Sequence, residues 1–305
     1  MAVAETGLTR NVVRRASTGA RTRDLLFALG LLVCMFIAIL FLGALIVDVA
    51  IDGAPLLSTD FVTNYPSRFN VDASGVRSAL LGTLWLMVMC AAFIVPVGVG
   101  AAVYLEEYAN QSRWYNRLIE VNIQNLAAVP SVVYGILGLA FIVRGPVDIW
   151  GLGKGDPTLV AGSLTLGLLV LPVVIIVARE AIRAVPPSIR EGSLALGATQ
   201  WQTIWKQVLP GALPGIATGV ILALSRAIGE TAPLLLIGAG SFLLFDPTID
   251  GKSFSAMPIQ IYSFVGEAKP GYRDLAAAAI LVLLGILLLM NSFAIYLRNR
   301  YETKW

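Results

Sequence analysis

Two charged side chains stand inside an otherwise apolar stretch: Arg226 and Glu230, within SRAIGETAP. Four residues apart, they fall on one face of a helix and can pair. Each costs roughly 2.5–3.5 kcal/mol at mid-membrane, so intramembrane charges point to a polar, protein-lined route. An arginine fork donates paired hydrogen bonds to a tetrahedral oxyanion and stays charged at every relevant pH. Glu230 alone would repel an anion. It either neutralises Arg226 between transport events or accepts a proton from a protonated oxyanion. The chain has no histidine, which excludes His-based triads, the commonest zinc sites and histidine proton relays. Its two cysteines, Cys34 and Cys90, lie in apolar stretches and suggest neither a disulfide framework nor a metal site.

The elements that hold this pair are set by composition. Of 305 residues, 57% are hydrophobic and 13% charged, and the mean hydropathy is +0.79. Soluble domains carry about 25% charged residues, so this is an integral membrane protein. Residues 1–24 are polar and basic. The apolar run 25–47 is longer than the 7–15 residues of a signal-peptide core and matches the roughly 20 needed to span. Further spans are predicted at 79–104, 118–143 (broken at Pro130), 158–178, 211–238 and 275–297. The fold class expected is all-α, with six transmembrane helices. Residues 48–78 form an outer loop and residues 298–305 a basic tail. Six spans put both termini on one side. That side holds fourteen of the 22 Lys and Arg against seven opposite, Arg226 being the remaining one. The positive-inside rule makes it cytoplasmic.

The cytoplasmic loop 183–210 leads directly into the charged span. Within it, ATQWQTIWKQV places Trp201, Ile204, Trp205 and Val208 on one helical face. Two tryptophans on a short helix are interfacial anchors or knobs for a partner's groove. Gly197 permits a turn or a close approach. Pro210 ends that helix or opens the next one. A polar docking helix joined to a charged span suggests that something outside the bilayer drives something inside it.

The spacing from Glu191 through Gly197 to Leu209-Pro210 resembles the EAA loop of binding-protein-dependent ABC importer permeases. Gly192 and Ser193 stand where that pattern has alanines, and Gln207 where it has isoleucine. Around the pair, SRAIGETAPLLLIGA is similar to the phosphate-importer branch of that family, the PstA permeases. LGTLWL, VYLEEYA, NLAAVPSVVYGILGL, AREAIRAVPPSIREGSLALGATQWQTIW and MPIQIY agree along residues 80–291.

The resemblance implies a type I ABC importer permease fold, with residues 79–297 as the permease core. It implies a multi-pass protein of the bacterial cytoplasmic membrane, contributing half of the translocation pathway of an inorganic phosphate importer. The implied partners are a homologous PstC-type permease, two ATP-binding subunits and an extracytoplasmic phosphate-binding protein, with membrane lipid around them and no nucleic acid. ATP and Mg would be bound by the partners. This chain would hold no cofactor or metal and perform no catalysis. Glu191, Gly197, Trp201, Ile204, Trp205 and Pro210 would couple to the ATPase. The resemblance also places transport-critical arginines at Arg179 and Arg226. By its position at the end of a span, Arg179 is equally readable as a snorkelling side chain.

Other signals carry less. Pro130, Pro172, Pro214 and Pro233 interrupt spans, and such breaks often face a cavity. This adds Ser131, Asn125 and Tyr134 as candidates to line the path. Gly211, Gly215 and Gly219 permit close helix packing. Glu120 reads as a helix-start charge. Gly251-Lys252-Ser253 lacks the glycine a phosphate loop needs at position 246, where Asp stands. Three rival functions remain open: a permease for sulfate, molybdate or another oxyanion, a proton-coupled secondary transporter or channel, and a membrane scaffold or sensor.

Overall fold

The computed structural model describes residues 18–110, 112–145, 155–249 and 251–301. The expectations for residues 1–17 and for the end of the tail lie outside these. Two units are distinct, residues 1–48 and 49–305. The first holds most of α1 (Thr18–Gly53), one unbroken helix that contains the expected span 25–47.

In the second unit, α3 (Arg77–Val103) and α6 (Leu159–Arg183) pack side by side. Against α6 lie α9 (Leu209–Ile228), α4 (Trp114–Ala127), α5 (Ser131–Leu137) and α10 (Ala232–Leu236). The last long helix, α12 (Tyr272–Tyr301), packs on α9 and on α11 (Met257–Gly266). The described residues contain no strand. Five helices are long and apolar enough to cross a membrane, and a sixth only if α4 and α5 count as one span. That pair, expected as one interrupted span, is bent by 106°. Pro130 explains the bend: it lacks an N–H, and it drives the preceding residue out of the helical region.

The fourth span is longer than the hydropathy indicated. Its charged end, Arg179 to Arg183, ends the apolar run at 178 but not the helix, and both of its arginines are ion-paired. The fifth span is shorter. It stops at Ile228 rather than 238, and α10 follows after a break at residues 229–231. Pro233 cannot donate to the carbonyl of Gly229, and its ring would collide with it. Pro172 and Pro214, in contrast, sit inside continuous helices, so only two of the four prolines interrupt spans. Gly215 and Gly219 face Ala181 and Val177 of α6 so closely that any side chain would collide. Their role is helix packing.

At the end of the bundle opposite residues 184–208, the two long connections form a compact cap. Arg77 donates two hydrogen bonds to Asp246, at 2.9 and 2.7 Å. These hold the Asp246 carboxyl below its ordinary value. The Tyr272 hydroxyl donates to the Ser67 carbonyl at 2.7 Å, and Tyr272 packs with Phe264 and Phe242. The connection 239–274 contains α11, whose first N–H is taken by the Thr83 hydroxyl of α3. No helix follows Ser253 until Met257, so the Gly251-Lys252-Ser253 stretch has none of the setting of a phosphate loop.

Candidate translocation site and coupling loop

Arg226 sits in the last turn of α9, and Glu230 lies in the break beyond it. The two are therefore not on one helix, yet the turn keeps them together. Arg226 Nε stands 3.6 Å from Glu230 Oε1, an ion pair without a hydrogen bond. The Arg226 side chain is 53% exposed and Glu230 19%. A loosely held, half-exposed guanidinium at a helix break keeps most of its donors free for a ligand.

The other candidates lie around the second break. Asn125 is exposed at the end of α4, and Ser131 opens α5. Tyr134 is buried, and its hydroxyl donates to the Leu126 carbonyl at 2.9 Å. It pins the bend and spends its only donor in doing so. Gly135 of α5 lies directly against Pro233 and Leu236 of α10. The elements that follow the two breaks, α5 with Ser131 and Tyr134 and α10 just after Arg226 and Glu230, therefore adjoin.

Arg179 does not join them. It points instead into a cluster of charges at the loop end of α6. Its Nη1 donates to Glu120 Oε1 at 3.0 Å, and its Nε lies 3.5 Å from Glu106 Oε2. Glu106 also takes two hydrogen bonds from Arg183, at 2.8 and 3.0 Å. Next to it, Glu107 accepts from Arg190 Nε and Nη2 at 3.0 and 2.9 Å. Arg190 reaches further, to the carbonyls of Val185 and Ile182 at the end of α6. Ile182 is in the last turn of α6 and Val185 just beyond it, and the Ile182 carbonyl also accepts from Val185 N–H at 3.3 Å. Gln200 donates to the Glu107 carbonyl at 2.7 Å. Both glutamates lie in a wide π turn, Tyr104–Tyr108, that continues α3. Glu120 is thus an ion-pair partner in the middle of α4 and not the helix-start charge expected, because α4 begins at Trp114 rather than at 118.

The loop itself is a helix–turn–helix. In α7 (Pro187–Ala195) the exit is a Schellman turn: Gly197 N–H donates to Leu194 O, and Ala198 N–H to Ser193 O. Gly197 has φ +88°, a conformation that favours glycine, and open space where a side chain would stand. Gly197→Ala therefore meets no clash but strains the backbone by about 1–2 kcal/mol. The expected result is an assembled protein of reduced transport rate, checked by uptake measured at equal membrane abundance.

Beyond the turn, Thr199 and Gln202 form a capping box at the start of α8 (Gln200–Thr203). Ser193 and Thr203 share a hydrogen bond of 2.8 Å across the turn. A π turn, Ile204–Val208, then carries α8 into α9 without interruption, and Pro210 lies in the first turn of α9. The wide turn lets Leu209 N–H reach Ile204 O just before the proline. Glu191 is exposed. Trp201 and Trp205 are 60% and 51% exposed with ring centroids 5.2 Å apart, whereas Ile204 and Val208 are buried. Trp201, Ile204 and Trp205 line one groove with Val103, Tyr104 and Tyr108, the tryptophans standing outward and Ile204 packed into the bundle.

Glu106, Glu107, Arg183, Arg190 and Gln200 carried no role in the sequence reading. The available signal was an acidic pair closing an apolar span, on a side otherwise rich in Lys and Arg.

This architecture, a helical membrane bundle with a helical loop feeding a broken charged span, defines a transport permease. The profile of the family described as "Binding-protein-dependent transport system inner membrane component" matches residues 94–303, and the chain belongs to that family. It is 30% identical over 274 residues to the "Phosphate transport system permease protein PstA homolog" of Mycoplasma pneumoniae, covering 89% of this chain and 41% of that protein. The chain thus spans less than half of that relative's length. It is 29% identical over 242 residues to the "Phosphate transport system permease protein PstA" of Haemophilus influenzae, covering 79% and 81% of the two. A bacterial alginate ABC transporter, solved with an alginate-bound periplasmic protein, has the same fold, with a TM-score of 0.67 at 20% identity. That match covers 93% of this chain and 97% of the other.

Proposed function

We propose that this chain forms half of the translocation pathway of an ATP-driven importer of inorganic phosphate. The observation that carries the reading is the half-exposed Arg226 guanidinium at the α9 break, with Glu230 beyond hydrogen-bonding distance. The phosphate specificity named for the Mycoplasma and Haemophilus relatives supports it. One arginine cannot satisfy a doubly charged oxyanion. A homologous permease of the PstC kind completes the path across the exposed face of Arg226 and supplies further cationic donors.

In this reading the loop end is cytoplasmic, with both termini on that side. Two ATP-binding subunits dock there, one of them against Glu191, Trp201 and Trp205. They bind ATP and Mg, and this chain hydrolyses nothing. A phosphate-binding protein docks on the cap at the other end. Gly197 sets the angle of the docking helix. Continuity through Pro210 into α9 passes its displacement to Arg226 as motion of one rod. The ion pairs from Arg183 and Arg190 to Glu106 and Glu107 carry the same displacement to α3 and α6. Substrate passes near mid-membrane, beside Ser131 and the α4–α5 bend.

Competition tests the substrate. Excess unlabelled phosphate is expected to abolish uptake of labelled phosphate, and equal sulfate or molybdate to leave most of it. Equal suppression by sulfate or molybdate would reassign the chain to another oxyanion.

A further inference from the structure

Arg179 is buried, with a side chain 11% exposed, and its Nε has no hydrogen-bond partner. Glu106 Oε2 stands 3.5 Å from that Nε, an ion pair longer than the 2.8 and 3.0 Å hydrogen bonds Glu106 accepts from Arg183. The one side-chain hydrogen bond that Arg179 makes goes to Glu120. Glu120 comes from α4, which packs chiefly on α6 and is joined to α5 only through the 106° bend. Its side chain is 36% exposed, against 12% for Glu106. Beside the pair is a cavity of about 120 Å³, lined among others by Glu120, Gln124, Ile176, Arg179 and Arg183. Four molecules of liquid water occupy about that volume, at roughly 30 Å³ each, so a tetrahedral oxyanion fits.

With Glu120 in place the cavity offers an anion no net positive charge, since its lining carries two carboxylates, Glu120 and Glu180, against two guanidiniums, Arg179 and Arg183. With Glu120 withdrawn, a buried guanidinium with unused donors faces the cavity. Gln124, one turn further along α4, can donate its amide to an oxygen there.

We propose that Glu120 is the displaceable counter-ion of Arg179. The transported oxyanion and the Glu120 carboxylate compete for this guanidinium, which makes Arg179 a second anion station and the α4–α6 ion pair its gate. The pathway stays shut to anions at this level until α4 swings about the bend at residues 128–130. This rests on the phosphate reading above.

The test uses the purified complex of both permeases and the ATPases, without binding protein or nucleotide. Equilibrium binding of labelled phosphate is expected to tighten about tenfold in Glu120→Gln, within the range of coupled sites. Adding Arg179→Gln should erase the gain, and Glu120→Asp, which keeps the charge, should gain less than half as much. Unchanged binding in Glu120→Gln would overturn the proposal, as would a gain that survives Arg179→Gln. Assembly of each variant is checked by co-purification of the ATPase. Phosphate uptake by the wild-type complex is measured in parallel. Its absence would overturn the substrate reading itself, whereas normal uptake with unchanged Glu120→Gln binding would overturn only the gate.

Discussion

Cells carrying Arg226→Ala are expected to take up phosphate about a hundredfold more slowly, with the transport complex intact. The magnitude follows from two charge-assisted hydrogen bonds at about 1.5 kcal/mol each, the low end of their range, and from 1.4 kcal/mol per tenfold. Assembly should survive, because the Arg226 side chain is 53% exposed and its ion pair with Glu230 is already stretched to 3.6 Å. Removing it takes the ion-pair partner from Glu230, 19% exposed, but breaks no hydrogen bond. Arg226→Lys should recover only part of the loss, since an ammonium gives a point charge and no planar fork. Normal uptake in an assembled Arg226→Ala complex would demote the pair to packing and reopen the choice of substrate.

Arg190→Ala is expected to be the most damaging single change at the loop. It removes the guanidinium that ties the carbonyl of Ile182, in the last turn of α6, to that of Val185 just beyond it. It also leaves Glu107, 10% exposed, without its guanidinium. Breaking a buried pair from one side costs about 3–5 kcal/mol. The Arg190 side chain is 22% exposed, so solvent takes up part of this and about 2–3 kcal/mol remains. The complex should denature at a lower temperature, and ATP hydrolysis should no longer rise when binding protein is added. Arg190→Lys should not rescue it, because one ammonium cannot serve Glu107 and two carbonyls in the geometry of a fork. Wild-type stimulation of hydrolysis in Arg190→Ala would mean that the loop moves independently of α3 and α6.

What the sequence disclosed, and what it hid, follows from the range of each interaction. Apolar runs near 20 residues mark the spans because every turn of a spanning helix meets lipid. The Gly197 turn and the breaks at Pro130 and Pro233 are local, set by backbone geometry within a few residues. The charge cluster is not local. Arg183 finds Glu106 across 77 positions and Arg190 finds Glu107 across 83, and no spacing rule joins them. That ignorance moved the end of α6 from 183 to 178, since charges about to be paired look like charges that must leave the bilayer. The same gap put Arg179 among the pathway residues near Arg226, when in this conformation it is held by Glu120 and Glu106. Prolines show the limit within one helix type. Pro214 sits in α9 without stopping it, and Pro233 follows a break. The 3.6-residue period puts Ile204 beside the tryptophans, and the three line one groove, but periodicity does not show that Ile204 alone of them is buried.

A phosphate path driven from the loop end is tested most directly by one measurement. The complex is reconstituted in liposomes with its binding protein, and labelled phosphate uptake is followed with and without ATP at the ATPase face. Uptake is predicted to require ATP, to persist when the proton gradient is collapsed, and to vanish in Arg226→Ala. Uptake that follows the proton gradient without ATP, or that continues in Arg226→Ala, would contradict it.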